Sequence, residues 1–247
     1  MHLTDQYYPE AKFGGFTAVD GTVAFYTRIN SLVEPDHVVL DIGCGRGGFS
    51  DRSARIHRNL RQFKGRVRQV IGIDVDPAGE ENPLLDTFRL IDGPRWPVES
   101  ASVQVAYSDW TVEHIDDPDT FFEECYRVLS PGGYLCVRTT NRLSYVGILS
   151  TLIPNRLHDK TLKVAQPSRQ TRDVFPTVYR ANTVRQLRGA LERAGFEHCV
   201  YGHDAEPSYL HFSRVAYLMG MLHQKLAPAY FKPALFAFAR KPVVAAS

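Results

Sequence analysis

Cysteine is scarce. The 247 residues include four, Cys44, Cys125, Cys136 and Cys199, too few and too widely spaced for a disulfide framework. No Cys-x-x-Cys or Cys/His cluster has the spacing of a zinc site, and no metal is expected. Charge of one sign is missing as well: 29 Lys and Arg stand against 27 Asp and Glu, a net charge of +2. Bulk charge therefore implies neither nucleic acid nor an anionic surface as a partner. No window reaches 18 uninterrupted apolar residues, so no helix is expected to span a membrane. The opening segment, Met1 to Gly15, lacks the basic and then apolar regions of a signal peptide, and a cytoplasmic setting is expected. Internal repeats and low-complexity tracts are absent too. What is present is ordinary for a folded chain, with 44% hydrophobic and 23% charged residues.

Short apolar runs alternate with helical patterns from residue 38 onward. The runs are Val38 to Ile42, Val70 to Asp74, Val103 to Tyr107 and Tyr134 to Arg138. Several are rich in β-branched residues and poor in charge, as strands covered on both faces should be. Between Pro118 and Leu129, the residues Phe121, Phe122, Cys125, Val128 and Leu129 share one helical face. That helix opens after Asp116-Asp117 and is expected to stop at Pro131-Gly132-Gly133. Another is expected from Thr183 to Ala194, ending at Gly195. The alternation argues for an α/β fold, a doubly wound and mostly parallel sheet with helices on both faces. One domain over 1–247 is expected, with three additions. A cap segment at 1–33 carries the amphipathic stretch Val23 to Val33. An insertion at 142–181, marked by Pro154, Pro167 and Pro176, is where a substrate cap would sit. An apolar helical excursion at 203–233 precedes the last strand.

Chemistry concentrates in Val38-Val39-Leu40-Asp41-Ile42-Gly43-Cys44-Gly45-Arg46-Gly47-Gly48-Phe49. A strand ends in an acid, and a glycine-rich turn opens a helix. Glycine lets the backbone turn tightly and approach a ligand with no Cβ in the way. Gly43-x-Gly45-x-x-Gly48 also satisfies the dinucleotide fingerprint, so the glycines alone leave a nicotinamide-dependent oxidoreductase open. Asp41 weighs between the two. A carboxylate two residues before the first glycine repels a pyrophosphate. A ligand with an ammonium and a sulfonium and no phosphate gains from it, and S-adenosylmethionine is such a ligand. The second strand ends in Asp74, placed for a ribose diol, and Val75 after it can pack on an adenine face. The run Phe88 to Ile91 ends in Asp92-Gly93, which can accept from an adenine amino group. Cys44 in the turn, with Ser108 and Asp109 at the end of the fourth strand, completes the candidate cofactor set.

With these residues in view, the sequence resembles the class I S-adenosylmethionine-dependent methyltransferases, over about residues 15–240 and most strongly over 36–141. It is similar to the broad group that includes the ubiquinone-pathway O-methyltransferases. That group's pattern reads here as Glu113-His114, Arg127-Val128-Leu129-Ser130-Pro131-Gly132-Gly133 and Thr139-Thr140-Asn141. The resemblance implies a Rossmann-like sheet of seven strands with the last antiparallel, the final hairpin coming from Phe196 to Tyr201 and Leu235 to Arg240. It implies S-adenosylmethionine as cofactor and S-adenosylhomocysteine as product. Asp41, Gly43 and Gly45 would touch the methionine part, Asp74 the ribose and Asp92 the adenine. Two departures loosen the substrate assignment: Gln104 replaces the usual Asp that opens the fourth strand, and Thr140-Asn141 lacks the usual intervening proline.

The methyl acceptor is less legible. Alignment alone can supply much of the catalysis of such a displacement, so a base is needed only where the acceptor must lose a proton. His114 is a candidate base, or else a histidine that holds its loop. Trp110 either walls the cofactor pocket or packs in the core. Tyr179 and Arg180 are candidate acceptor contacts, with the alternative that Asn182 or Thr183 caps the next helix and Arg180 makes a surface ion pair. Arg52, Arg55, Arg58, Arg61 and Lys64, with Arg66 and Arg68 beyond, are expected to form a solvated basic flank, or else one that docks an acidic partner, RNA or anionic lipid. The stretch 209–222 is unusually apolar, suited to packing on the sheet, to a homodimer contact, or to lying on a membrane surface. No Asn/Asp-Pro-Pro-aromatic turn follows the fourth strand and no Pro-Cys loop occurs, which disfavours nucleic-acid bases as acceptors. The expected activity is methyl transfer to oxygen or nitrogen of a small or lipid-linked metabolite. A cofactor-binding subunit without chemistry is the non-enzyme rival.

Overall fold

The structure, a computed structural model, describes residues 3–47, 54–152 and 176–243. Gly48, Phe49, Arg52, Asp173 and the stretch 153–175 of the expected insertion lie outside the described residues. Seven strands form one sheet: β1 (Val38–Ile42), β2 (Gln69–Asp74), β3 (Thr87–Leu90), β4 (Val103–Asp109), β5 (Leu129–Thr140), β6 (Glu197–His203) and β7 (Ala234–Arg240). Their order is β3-β2-β1-β4-β5-β7-β6. The first five run parallel, while β7 lies antiparallel between β5 and β6. Chain order reverses at β1, where β2 leaves on one side and β4 on the other. In open sheets of this kind the carboxyl ends beside that reversal form the ligand crevice.

The described helices are α1 (Leu3–Tyr7), α2 (Gly21–Asn30), α3 (Arg55–Arg61), α4 (Pro118–Val128), α5 (Tyr145–Leu152), α6 (Val184–Arg193) and α7 (Arg214–Leu226). Their starts follow local chemistry. The side chains of Asp20, Asp117, Thr183 and Ser213 each accept from a backbone N–H in the first turn of the helix they precede, satisfying donors that the helix itself leaves open. One sheet face packs Leu40, Ile42, Val103 and Val137 with Phe122 of α4 and Leu187 of α6. The other packs Val39, Val105 and Phe236 under Phe25, Tyr26 and Ile29 of α2. Burying a side chain of this size contributes about 1.5–3 kcal/mol.

Two boundaries differ from expectation. The helix expected to stop at Pro131-Gly132-Gly133 ends at Val128, and β5 begins at once with Leu129. Leu129 pairs with Val103 and Gly132 bonds to Lys241, so partners across the sheet hold as strand a segment whose composition reads as a turn. The basic flank is also not uniformly solvated. Arg61 ends α3 half-buried, its guanidinium 5.7 Å from the ring centre of Tyr26. Its charge faces Asp109 and Asp41.

Candidate functional site

The glycine turn is built from β1 outward. Gly43 and Cys44 donate backbone hydrogen bonds to the carbonyl of Ile73, at 2.8 and 3.2 Å, which ties the turn to the end of β2. Gly43 has φ of 73°, and a Cβ there would lie 2.3 Å from Thr111 Oγ1, so only glycine fits. Gly45, at φ of 48°, is different: an added Cβ would meet no atom within 4 Å. Among the described residues the backbone at Gly45 thus faces open space, room that a ligand could occupy. Its N–H donates to Asp74 Oδ2 at 2.8 Å, and the N–H of Asp76 donates to Oδ1 at 2.9 Å. A carboxylate has about four lone-pair sites, so Asp74 retains acceptor capacity. Asn82 closes the far side, donating to the carbonyls of Cys44 and Gly45 at 3.0 and 3.2 Å. Val75, next to Asp74, is 61% exposed, and Asp92 and Gly93 are exposed beyond β3.

Asp41 is buried at the end of β1, opposite Gly72 and Tyr107. Burial pushes its pKa up to about 7, against a hydrogen bond donated by Tyr107 and the positive charge of Arg61, which lower it. Asp109 and Asp74 add a repulsive, raising contribution. Asp109 is engaged differently. Arg138 donates to both of its oxygens, at 2.6 and 2.7 Å, and the Tyr26 hydroxyl donates at 3.0 Å. The Arg138 guanidinium also lies 5.1 Å from the centre of the Trp110 ring. Trp110, at φ of 61° and 42% exposed, is therefore a wall and not core. Ser108 Oγ is buried without a hydrogen-bond partner among the described residues.

Trp110 and Arg138 open onto a cavity of about 350 Å³, further walled by Tyr145, Phe236, His203 and a pair formed by Asp20 and His57. His57 Nε2 donates to Asp20 Oδ2 at 2.8 Å. A wider groove of about 760 Å³ runs over α4 and α6 and includes Arg180, but none of the strand-end acids or glycines.

Comparison with known proteins bears on the family and the fold. The methyltransferase domain family matches residues 40–137, from β1 to β5. The chain carries a class I S-adenosylmethionine-dependent methyltransferase domain. Over 133 residues, 52% of the chain, it is 33% identical to a Mycolicibacterium smegmatis protein named "Probable S-adenosylmethionine-dependent methyltransferase", of which it spans 47%. Over 54% of the chain it is 28% identical to the ubiquinone biosynthesis O-methyltransferase of Cupriavidus pinatubonensis, spanning 56% of that protein. The chain thus spans about half the length of these curated relatives. In fold it is similar to a SAM-dependent methyltransferase from Archaeoglobus fulgidus, with a TM-score of 0.55 at 19% identity over 94% of this chain and 97% of that one.

In this methyltransferase domain the other sequence-picked residues sort themselves by contact. His114 Nδ1 donates to the carbonyl of Pro176 at 2.9 Å, holding the chain that returns from the insertion. Tyr179 is buried with φ of 52°. Arg180 pairs with Asp116 at 3.2 Å on the surface, and Thr183 caps α6. Glu113, the neighbour of His114, is buried and accepts from the Thr139 hydroxyl at 2.7 Å, and burial raises its pKa. Its backbone carbonyl accepts from Val178 and Tyr179, so the Glu113-His114 pair anchors the returning chain to β5. Asn182 extends the anchor, donating to Thr139 Oγ1 at 2.7 Å. Tyr107, Asn82, Arg138 and the Asp20–His57 pair escaped the sequence reading. Asp20 alone carried a local signal, as an acid in front of the amphipathic stretch.

Proposed function

We propose that the chain transfers the methyl group of S-adenosylmethionine to an oxygen or nitrogen of a small or lipid-linked acceptor. The observation that carries this reading is the open cradle at Gly45, flanked by a buried carboxylate at Asp41 and the partly satisfied carboxylate of Asp74. Asp41 would attract the ammonium of the cofactor, Gly43, Cys44 and Gly45 would bend around its methionine part, and Asp74 would accept from the ribose hydroxyls. Val75 offers an exposed apolar face to the adenine, with Asp92 and Gly93 at its edge. Ser108 Oγ is an unpaired polar group near the reacting end, while Asp109 would act through Arg138 and Trp110, holding the wall in place. Bound there, the cofactor supplies an activated methyl group, and the chain's own work is to align the acceptor and exclude water. Tyr179, Arg180 and His114 would shape the acceptor side through the segment they anchor, without reaching the methyl group.

The test is calorimetric titration with S-adenosylhomocysteine beside NADH. Micromolar binding of the first and none of the second supports the reading, and the reverse overturns it. A lipid-linked acceptor is favoured by one observation. Helix α7 exposes Val215, Leu218, Met219, Leu222 and Leu226 along one side, with Phe212 just before it, and residues 207–243 contain no acid. An apolar face within an acid-free stretch suits an anionic lipid surface. It suits a two-fold contact between copies less well, since Arg214 and Lys225 of each copy would face like charge. Among the described residues no helix is long and apolar enough to cross a membrane.

A further inference from the structure

The cavity beside Trp110 holds a histidine whose Nε2 neither the fold nor the cofactor cradle engages. His203 closes β6, its ring stacked on Phe236 at 4.2 Å between centroids and 14° between planes. Its Nε2 is buried and has no hydrogen-bond partner among the described residues. A buried polar nitrogen left unpaired costs about 1–3 kcal/mol; His203 lines the cavity, and a ligand seated against its ring can satisfy that atom. Trp110, Arg138 and Thr140 in the same wall stand at the carboxyl ends of β4 and β5. These strands follow β1, the cradle strand, in sheet order.

We propose that this cavity receives the methyl acceptor and that His203 Nε2 takes the proton of its hydroxyl group. The inference rests on the methyltransferase reading above. The acceptor oxygen forms a bond to the methyl carbon as the carbon–sulfur bond breaks. The bonding pair leaves with sulfur, which becomes a neutral thioether, and the hydroxyl proton passes to the imidazole, to be released afterwards to solvent. Burial holds the His203 pKa below the ordinary imidazole value, so the ring is neutral and able to accept at neutral pH. The charged groups facing it are Asp204 from its own loop, Arg138 from β5, Lys232 from the approach to β7 and Asp20 from the start of α2. The two acids favour the imidazolium and the two bases oppose it. His57 and Glu206 share the cavity but have partners: His57 is bonded to Asp20, and Glu206 accepts from Thr17 at 3.1 Å. The aromatic walls and the volume suit a single ring, so phenol and 4-nitrophenol are the probes.

The experiment compares the protein with His203→Gln at about pH 8, where 4-nitrophenol is already ionised and phenol is not. Methylation of phenol should fall by about 10²-fold or more in the variant, the scale of general-base catalysis, and methylation of 4-nitrophenol should fall far less. In the protein loaded with S-adenosylhomocysteine, the ring resonances of His203 should shift when phenol is added. Equal loss on both phenols, methylation of benzylamine but of neither phenol, or no methylation of any probe overturns the proposal. Calorimetry separates the two readings. If S-adenosylhomocysteine binds and these outcomes fail, only the role of His203 falls; if it does not bind, the methyltransferase reading falls with it. An unfolded variant is recognised by its lost affinity, and His203→Asn then replaces it.

Discussion

Asp41→Asn should stabilise the protein while weakening its hold on the cofactor, and the two effects should have different pH dependences. In the folded state the carboxyl is pushed up to about 7 by burial, while in the unfolded chain it titrates near 4. The folded protein therefore holds the extra proton between those values, and stability falls as pH rises through that window. Once Asp41 is fully ionised the accumulated penalty is roughly 4 kcal/mol. Asparagine removes it and can still accept from Tyr107, but its amide brings two buried donors that need partners, costing about 1–3 kcal/mol. The net gain above pH 7 is about 1–3 kcal/mol, or roughly 2–12 °C in melting temperature for a chain of this size. Below about pH 4 the gain should vanish or reverse, because the native side chain is neutral there too. Thermal scans of both proteins from about pH 4 to 8 read this difference directly. Calorimetry with S-adenosylhomocysteine adds the second half. Affinity of the native protein should climb toward pH 8 as the carboxylate ionises, while the variant binds weakly and evenly. Melting curves that stay a constant distance apart across the range would refute the burial argument. Unchanged affinity would refute the ammonium contact.

Arg138→Leu should cost about 3–5 kcal/mol in denaturant unfolding, because it leaves Asp109 charged and half-buried without its bidentate partner; the double change with Asp109→Leu should recover much of that loss. Gly45→Ala should lower stability by only about 1–2 kcal/mol, the cost of a Cβ at positive φ, yet it should abolish measurable binding of S-adenosylhomocysteine because the new methyl group enters the cradle. Asp74→Ala should weaken binding by about 1.5–3 kcal/mol, the worth of a hydrogen bond to a charged group, as read by the same calorimetry. Met219→Asp with Leu222→Asp should remove sedimentation with vesicles containing anionic lipid and leave affinity for S-adenosylhomocysteine intact; vesicles ignored by the native protein, together with a dimer in sedimentation equilibrium that the double change breaks, would reassign the face to self-association.

The elements that were legible in the sequence share one property: their signals are local. A β-branched run ending in an acid and followed by glycines places Asp41 and the turn at the end of β1 with no knowledge of the rest of the chain. The same holds for Asp74 at the end of β2 and for the helix begun by Asp117-Pro118. The stop of that helix was missed because the pairing of Leu129 with Val103 is made across the sheet, and the turn-like residues after it are held extended by distant partners. The rest of the site is non-local in the same sense. Tyr107 faces Asp41 only because β4 lies beside β1 in the register that sets residue 107 against residue 41. Asn82 reaches the glycine turn from the far side of β2, and Arg138 reaches Asp109 from the next strand. These contacts decide what the local signal is worth. Asp41 with its ordinary pKa would be a fixed anion, indifferent to pH near neutrality. Burial among Tyr107, Arg61, Asp74 and Asp109 brings its titration to about 7, so on the proposed reading the ligand's ammonium would complete its ionisation and binding would release a proton. The motif names the residue proposed to meet the cofactor, and the register of the sheet around it sets the charge with which it would do so.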